Sequence, residues 1–286
     1  MKKLPLPSYQ FLDTFNVCLQ DCDSENLPAM IGLRQHIPEF DLIYQQRASN
    51  TTLHQLTQSR HGHSEDIVVE SITKADFVDL YEKCFVKTGT SGRTIYDALR
   101  ASSDGLCPLC GIGSVSTLDH YLPKARYPLY SVNPCNLVPA CMDCNKGKGS
   151  SVLNSNVEEP LHPYFVSEHF IDEHWISAEI VETTPVTARF FPSPLATWSQ
   201  ECQQRAINHF NDFDLASRYQ TQASLLFTML TERVRELKHE QGLSTEEIQA
   251  NFLARTQTQP PNSIARALME AIAQSEWFCS EQYLVF

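Results

Sequence analysis

CPLCGIGSVSTLDHYLPKARYPLYSVNPCNLVPACMDCNKGKG occupies residues 107–149 and carries two CxxC pairs, Cys107 with Cys110 and Cys141 with Cys144. A two-residue gap lets both sulfurs of a knuckle reach one ion, and two knuckles supply the donors of a tetrahedral structural zinc site. Gly111 and Gly113 follow the first pair, where the chain needs a tight turn. The pairs stand farther apart than in a simple zinc ribbon, so the spacing places an insert between them. Four cysteines paired by chance are the plain alternative. A thioredoxin-like redox pair fits less well, because no βαβ pattern precedes either CxxC. A site closed by four cysteines has no open coordination position, so the expected zinc is structural. Residues 105–150 are rich in Gly, Pro and Asn and have only short apolar pieces. Such a segment cannot build a large core alone and leans on a metal.

The rest of the chain sets the context for this segment. Its 286 residues are 42% hydrophobic and 20% charged, enough to bury a core in one large or two small domains. No apolar run reaches the roughly 18–20 residues of a membrane span, and no signal-peptide segment follows Met1. A cytoplasmic protein is therefore expected, without a membrane partner. In a reducing compartment the ten cysteines point to metal ligation where clustered and to buried thiols where scattered. Cys18, Cys22, Cys84, Cys135, Cys202 and Cys279 fall in the second group. A net charge of −12 argues against bulk electrostatic coating of nucleic acid but leaves room for a local basic patch and a partner that holds substrate.

Periodicity predicts helices on both sides of the cysteine-rich segment. Phe11, Phe15, Cys18, Leu19 and Cys22 recur on one helical face. A loop is expected over 59–66, a helix over 74–86 with Phe77, Leu80, Tyr81 and Cys84 on one side, a turn over 88–94 and a helix over 94–102. Residues 175–181 and 186–191 read as a β-hairpin. Helical pattern runs from Trp198 onward. Ser244 and Glu247 form a capping box, and Pro260-Pro261 breaks that helix before a cap at Asn262 or Ser263.

The strings CPLCG, LDHYLPK and NLVPACMDCNKGKG, in this order and spacing, resemble the motif of the HNH endonucleases, the His-Me finger or ββα-metal nucleases, many of which carry the same two knuckles. The match covers about residues 105–150. More loosely, helical flanks and an LHPYF segment at 161–165 resemble HNH subunits of bacterial anti-phage systems, among which the Septu type works with an ATPase. The resemblance implies an α+β, mostly helical fold with a central zinc-stapled ββα-metal unit and a small hairpin on its C-terminal side. It implies a helical region over 1–104, a nuclease core over 105–155, and a hairpin with helices over 156–286.

It further implies that His120 is the general base, a role open to a neutral imidazole near pH 7. Asp119 would ligate a divalent ion with Asn145, which stands where many relatives have histidine. A carboxylate and an amide oxygen suit Mg²⁺ or Mn²⁺. Successive strand residues face opposite ways, so Asp119 and His120 can share one site only with a bend nearby. Asn136 is expected to fix the loop between the strands, although a turn asparagine after Pro134 is the simpler reading and Asn133 lies close. Lys124, Arg126, Lys146 and Lys148 make the segment locally basic, as a phosphate surface requires, or are ordinary solvated surface. Arg126 is the chosen phosphate contact because a guanidinium grips two oxygens. Lys146 and Lys148 are expected at the start of the helix. His61 and His63 read as a solvated loop, His174 and His209 as structural. His162 reads as a packing or hydrogen-bonding residue that can alternatively reach the site. The C-terminal EWFCSEQYLVF is bulky enough to join a core or a partner.

The expected function is metal-dependent hydrolysis of DNA, as the effector of an anti-phage system with an ATPase partner. The alternatives are an RNA nuclease, for example on tRNA, and a non-catalytic zinc-stabilised binding module.

Overall fold

A computed structural model describes residues 1–148 and 153–284 of the chain. The chain divides into two compact units, Lys2–Val166 and Ser167–Phe286, Met1 counting with the second. The fold is α+β: helices dominate, and the described residues form three two-stranded antiparallel sheets.

In the first unit, α1 (Phe11–Leu19) buries Phe11, Phe15 and Cys18, the stripe expected from their spacing. The helix stops at Leu19, so Cys22 lies in the turn beyond it and not on the same face. Helices α2 (Leu27–Leu33) and α3 (Ile37–Ser49) both carry proline in the first turn, where its missing N–H costs nothing. A short hairpin, β1 (Ile67–Val69) with β2 (Ile72–Thr73), leads into α4 (Lys74–Asp79). Thr73 and Asp76 close a capping box at its start.

The helix expected over 74–86 is present, but its second half, Leu80–Val86, is π-helical. Helix α5 (Gly92–Ala101) starts inside the stretch read as a turn. The two elements meet in one close approach. A Cβ at Gly92 would lie 2.5 Å from the Cys84 carbonyl oxygen and 2.9 Å from Phe85 Cα. The bare glycine lets α5 press on the π-helical backbone, and the Arg93 guanidinium takes the Val86 carbonyl at 2.8 Å. Gly92→Ala is therefore expected to destabilise this unit by about 1–3 kcal/mol, because no rotamer change relieves a clash with backbone. Thermal unfolding of the variant against wild type measures it.

After α5 come β3 (Thr117–His120), β4 (Leu137–Ala140) and α6 (Met142–Lys148). β3 pairs antiparallel with β4 in unbroken register, Thr117 opposite Ala140 and His120 opposite Leu137. The connection holds two 3₁₀ turns, Pro128–Tyr130 and Pro134–Asn136. α6 packs back on β3. It begins at Met142, so Lys146 and Lys148 follow its start by a turn, where cations suit the helix dipole better than at its N-terminus. The Lys148 side chain lies outside the described residues.

In the second unit, α7 (His169–Asp172) precedes the expected hairpin, β5 (Ile176–Val181) and β6 (Thr187–Pro192). Helices α8 (Gln200–Asp212), α9 (Leu215–Arg235), α10 (Thr245–Thr256), α11 (Ile264–Gln274) and α12 (Glu276–Cys279) follow. Ser244 and Glu247 form the expected capping box of α10, and Ser263 caps α11. Asn262 takes a left-handed φ of 59° and clamps the hairpin entrance instead. Its side-chain oxygen accepts from the Trp175 N–H at 2.8 Å, and its amide donates to the Glu173 carbonyl at 2.9 Å. Trp277, Phe278 and Cys279 of the C-terminal segment are buried, while Val285 and Phe286 lie outside the described residues. No helix among the described residues is long and apolar enough to cross a membrane.

Candidate metal centre and active site

The sulfurs of Cys107, Cys110, Cys141 and Cys144 all lie within 4.8 Å of one another, and all four residues are buried. Cys110 Sγ and Cys141 Sγ are 3.8 Å apart. A tetrahedron with metal–sulfur arms of about 2.3 Å has an edge of about 3.8 Å, so the spacing fits zinc. Local backbone chemistry builds the first knuckle. The Gly111 N–H donates to the Cys107 carbonyl at 2.8 Å, with Gly111 at φ 73°. The Gly113 N–H donates to Cys110 Sγ at 3.3 Å. The thiols share their protons unequally. Hydrogen bonding from the Cys107 thiol holds Cys141 and Cys110 below the ordinary thiol value. Hydrogen bonding within the cluster pushes Cys107 and Cys144 up. A bound cation replaces those protons. The cluster could hold a structural zinc, and it would fasten the segment before β3 to the segment after β4.

Cys18, Cys84, Cys135 and Cys279 are buried free thiols, as expected, whereas Cys22 and Cys202 are half-buried. Burial pushes the Cys135 thiol up to about 12, the mark of an unreactive core cysteine. His63, Glu65 and Asp66 also come close enough to hold an ion. They already form loop ion pairs, His63 with Glu65 and Asp66 with Arg60, which agrees with a solvated loop.

His120 ends β3. Its Nε2 lies 2.9 Å from the Ser131 carbonyl oxygen, which can only accept, so Nε2 carries the proton. In that tautomer Nδ1 is the basic nitrogen. Ser131 is itself fixed, its hydroxyl donating to the Phe77 carbonyl at 2.9 Å. Asp119 is buried, 8% exposed, one residue earlier on the strand. The strand pairs regularly through both residues, and the chain bends just after them, at Tyr121 and Leu122. Asn145 sits on α6, the helix packed against that strand.

Asn136 is fully buried and saturated. Its Oδ1 accepts from the Leu122 N–H at 2.7 Å and the Tyr44 hydroxyl at 2.9 Å. Its Nδ2 donates to the carbonyls of Leu122 at 3.1 Å and Tyr130 at 3.0 Å. These bonds lock both ends of the β3–β4 connection, the task expected of Asn136. Asn133 plays the lesser part, accepting from the Cys135 N–H at 2.9 Å. His162 lies behind this brace, 3% exposed. It stacks on Tyr121 at a centroid distance of 4.0 Å and meets the Tyr44 hydroxyl at 3.3 Å. It thus packs and hydrogen-bonds, one residue removed from Asn136. Asn136→Ala would strip the Leu122 N–H and carbonyl of this partner, while the Tyr130 carbonyl keeps the Asn133 N–H and the Tyr44 hydroxyl keeps His162. At roughly 1–3 kcal/mol for each of the two buried groups left unpaired, a loss of about 2–6 kcal/mol is expected. Denaturant unfolding of Asn136→Ala measures it, and a loss below about 1 kcal/mol would show that water takes over these bonds.

The cations divide. Lys124 Nζ bonds Glu82 at 2.6 Å and stands 4.7 Å from the Tyr81 ring centroid. Arg126 Nη1 donates to the Ser59 carbonyl at 3.4 Å, which ties it to the 59–66 loop. Its Nε is buried with no hydrogen bond among the described residues. Lys146 is exposed. Sequence reasoning missed Tyr44 and Tyr81, which touch the predicted site residues from distant parts of the chain, and Ser131, which does so from within the β3–β4 connection.

No family model matches the chain, and no solved structure matches it. The chain is 34% identical over 295 residues to Protein ea31 of Escherichia phage lambda, an alignment covering 97% of this chain and 99% of that protein. Alike in this way along nearly the whole of both sequences, the chain belongs to the family of the phage lambda protein ea31.

Proposed function

We propose that the chain is a metal-dependent endonuclease of the HNH type that hydrolyses phosphodiester bonds in DNA. The observation that carries this reading is the held imidazole of His120 at the end of the first strand of a strand–strand–helix unit. With Nε2–H committed to the Ser131 carbonyl, Nδ1 is the nitrogen that takes a proton from a water attacking phosphorus. Asn136 keeps that geometry by bracing the connection, and the cysteine cluster would fasten its two ends.

Asp119 and Asn145 offer hard oxygen donors on adjoining elements, a set suited to Mg²⁺ or Mn²⁺. A divalent ion held there would polarise the phosphate and take up charge on the leaving oxygen. Arg126, Lys124 and Lys146 are the residues for the phosphate backbone. Lys148 belongs with them by sequence.

Incubating supercoiled plasmid and total tRNA with the full chain and Mg²⁺ or Mn²⁺ tests the reading. Nicked or linear plasmid is the expected result. Cleavage of tRNA alone transfers the chemistry to RNA, and no cleavage of either sinks it for the isolated chain. The wider role, an anti-phage effector acting with an ATPase, rests on the likeness of the flanking segments. Co-purification of an ATPase from the native host is its test.

A further inference from the structure

We propose that Tyr81 is a positioning residue for His120. Its consequence for catalysis rests on the nuclease reading above, whereas its geometry does not. Tyr81 is buried on the π-helical stretch that continues α4, 8% exposed. Its ring centroid lies 4.4 Å from that of the His120 imidazole, with the planes inclined at 63°. Four residues earlier on the same continuous helix, the Phe77 carbonyl fixes the Ser131 hydroxyl, and the Ser131 carbonyl in turn holds His120 Nε2. One helix from the N-terminal region therefore sets the imidazole twice.

The hydrogen bond at Nε2 fixes one corner of the imidazole, and an aromatic ring in edge contact restrains the tilt of its plane. Tyr81 is held in its own right: Lys124 Nζ stands 4.7 Å from its ring centroid, and Lys124 is anchored by Glu82, the next residue. Gly92 and Arg93 of α5 support the same stretch from behind. π-Helical segments recur at functional sites because they re-aim side chains, and here the re-aimed stretch carries the ring that meets His120.

The test uses the zinc-loaded full chain as wild type, Tyr81→Phe, Tyr81→Leu and Tyr81→Met, the last two removing the aromatic ring with different bulk. The ¹⁵N shifts of the His120 imidazole, at a pH about two units above the ordinary histidine value, report its tautomer and order. Tyr81→Phe is expected to keep the wild-type pattern of one Nε2–H tautomer. Tyr81→Leu, or Tyr81→Met should the leucine variant not fold, is expected to draw the two nitrogen shifts together. On plasmid with Mg²⁺, the same two variants are expected to lose about 10²-fold in kcat with KM little changed, the cost of a misplaced catalytic group. Wild-type shifts and kcat in both Tyr81→Leu and Tyr81→Met overturn the proposal. A loss in Tyr81→Phe as large as in Tyr81→Leu overturns it too, since the hydroxyl would then be acting on substrate. If wild type cuts nothing yet the shifts still converge in Tyr81→Leu, positioning stands and the nuclease reading falls.

Discussion

Cys110→Ser is expected to lose bound zinc and to bring the thermal midpoint of the Lys2–Val166 unit down by at least about 10 °C. Structural zinc supplies about 10–16 kcal/mol in small domains, as much as or more than the about 5–15 kcal/mol that a whole domain has in hand. A serine hydroxyl is a poor ligand for zinc and is left in a fully buried position, 0% exposed in the native residue, where an unsatisfied polar group costs several kcal/mol. The damage should spread, because the cluster joins the chain before β3 to the chain after β4, and His120 and Asn136 lie between those joints. Chelation should reproduce it. Cys135→Ser serves as the control, a buried thiol outside the cluster, and should keep about one zinc per chain. Metal analysis with thermal unfolding checks both. Retention of zinc and of the wild-type midpoint in Cys110→Ser would mean that the four thiols are a core packing cluster.

The parts of this site that were legible in the sequence are those whose chemistry is local. CxxC spacing is itself a ligand geometry, so the four sulfurs meet as their pairing required. Asn136 was picked out through the motif resemblance, against the simpler reading of a turn asparagine, and the structure gives it four bonds, to Leu122, Tyr130 and Tyr44. The Thr73–Asp76 box escaped notice although its pattern was there, whereas the Ser244–Glu247 box was read.

What stayed hidden depends on long-range packing. Tyr44 reaches Asn136 across 92 residues and His162 across 118, and periodicity records neither. Tyr81 looked like one more apolar position on a helical face, and neither the π-helical stretch nor the close approach of Gly92 to the Cys84 carbonyl is written in the periodicity. Lys146 and Lys148 were placed at the helix start by the ββα arrangement that the resemblance implies. The helix instead begins directly after Cys141, with Cys144 already inside it. Arg126 was chosen for its chemistry, and the fold binds one end of its guanidinium to the Ser59 carbonyl.

His120→Ala is expected to lower kcat on plasmid by about 10²–10⁴-fold, the range for loss of a general base. Zinc content should not change, because His120 lies outside the cysteine cluster, and KM should change little, because the residues assigned to the phosphate backbone stay in place. The sharper comparison is His120→Gln. A glutamine amide can donate to the Ser131 carbonyl and preserve the contact seen at 2.9 Å, but it offers no nitrogen basic enough to take a proton near pH 7. Shape is kept and basicity is lost, so Gln should be as slow as Ala. Asn145→Ala should behave differently: weaker hold on a divalent ion appears as a higher metal concentration for half-maximal rate, partly recovered when the ion is in excess. Loss of rate in both His120 variants, with metal-dependent recovery only in Asn145→Ala, separates proton transfer from ion binding at two residues on adjoining elements. Wild-type cleavage by His120→Gln would remove the imidazole from the chemistry. Its bond to Ser131 would then be a structural tie, and another group would have to take the proton.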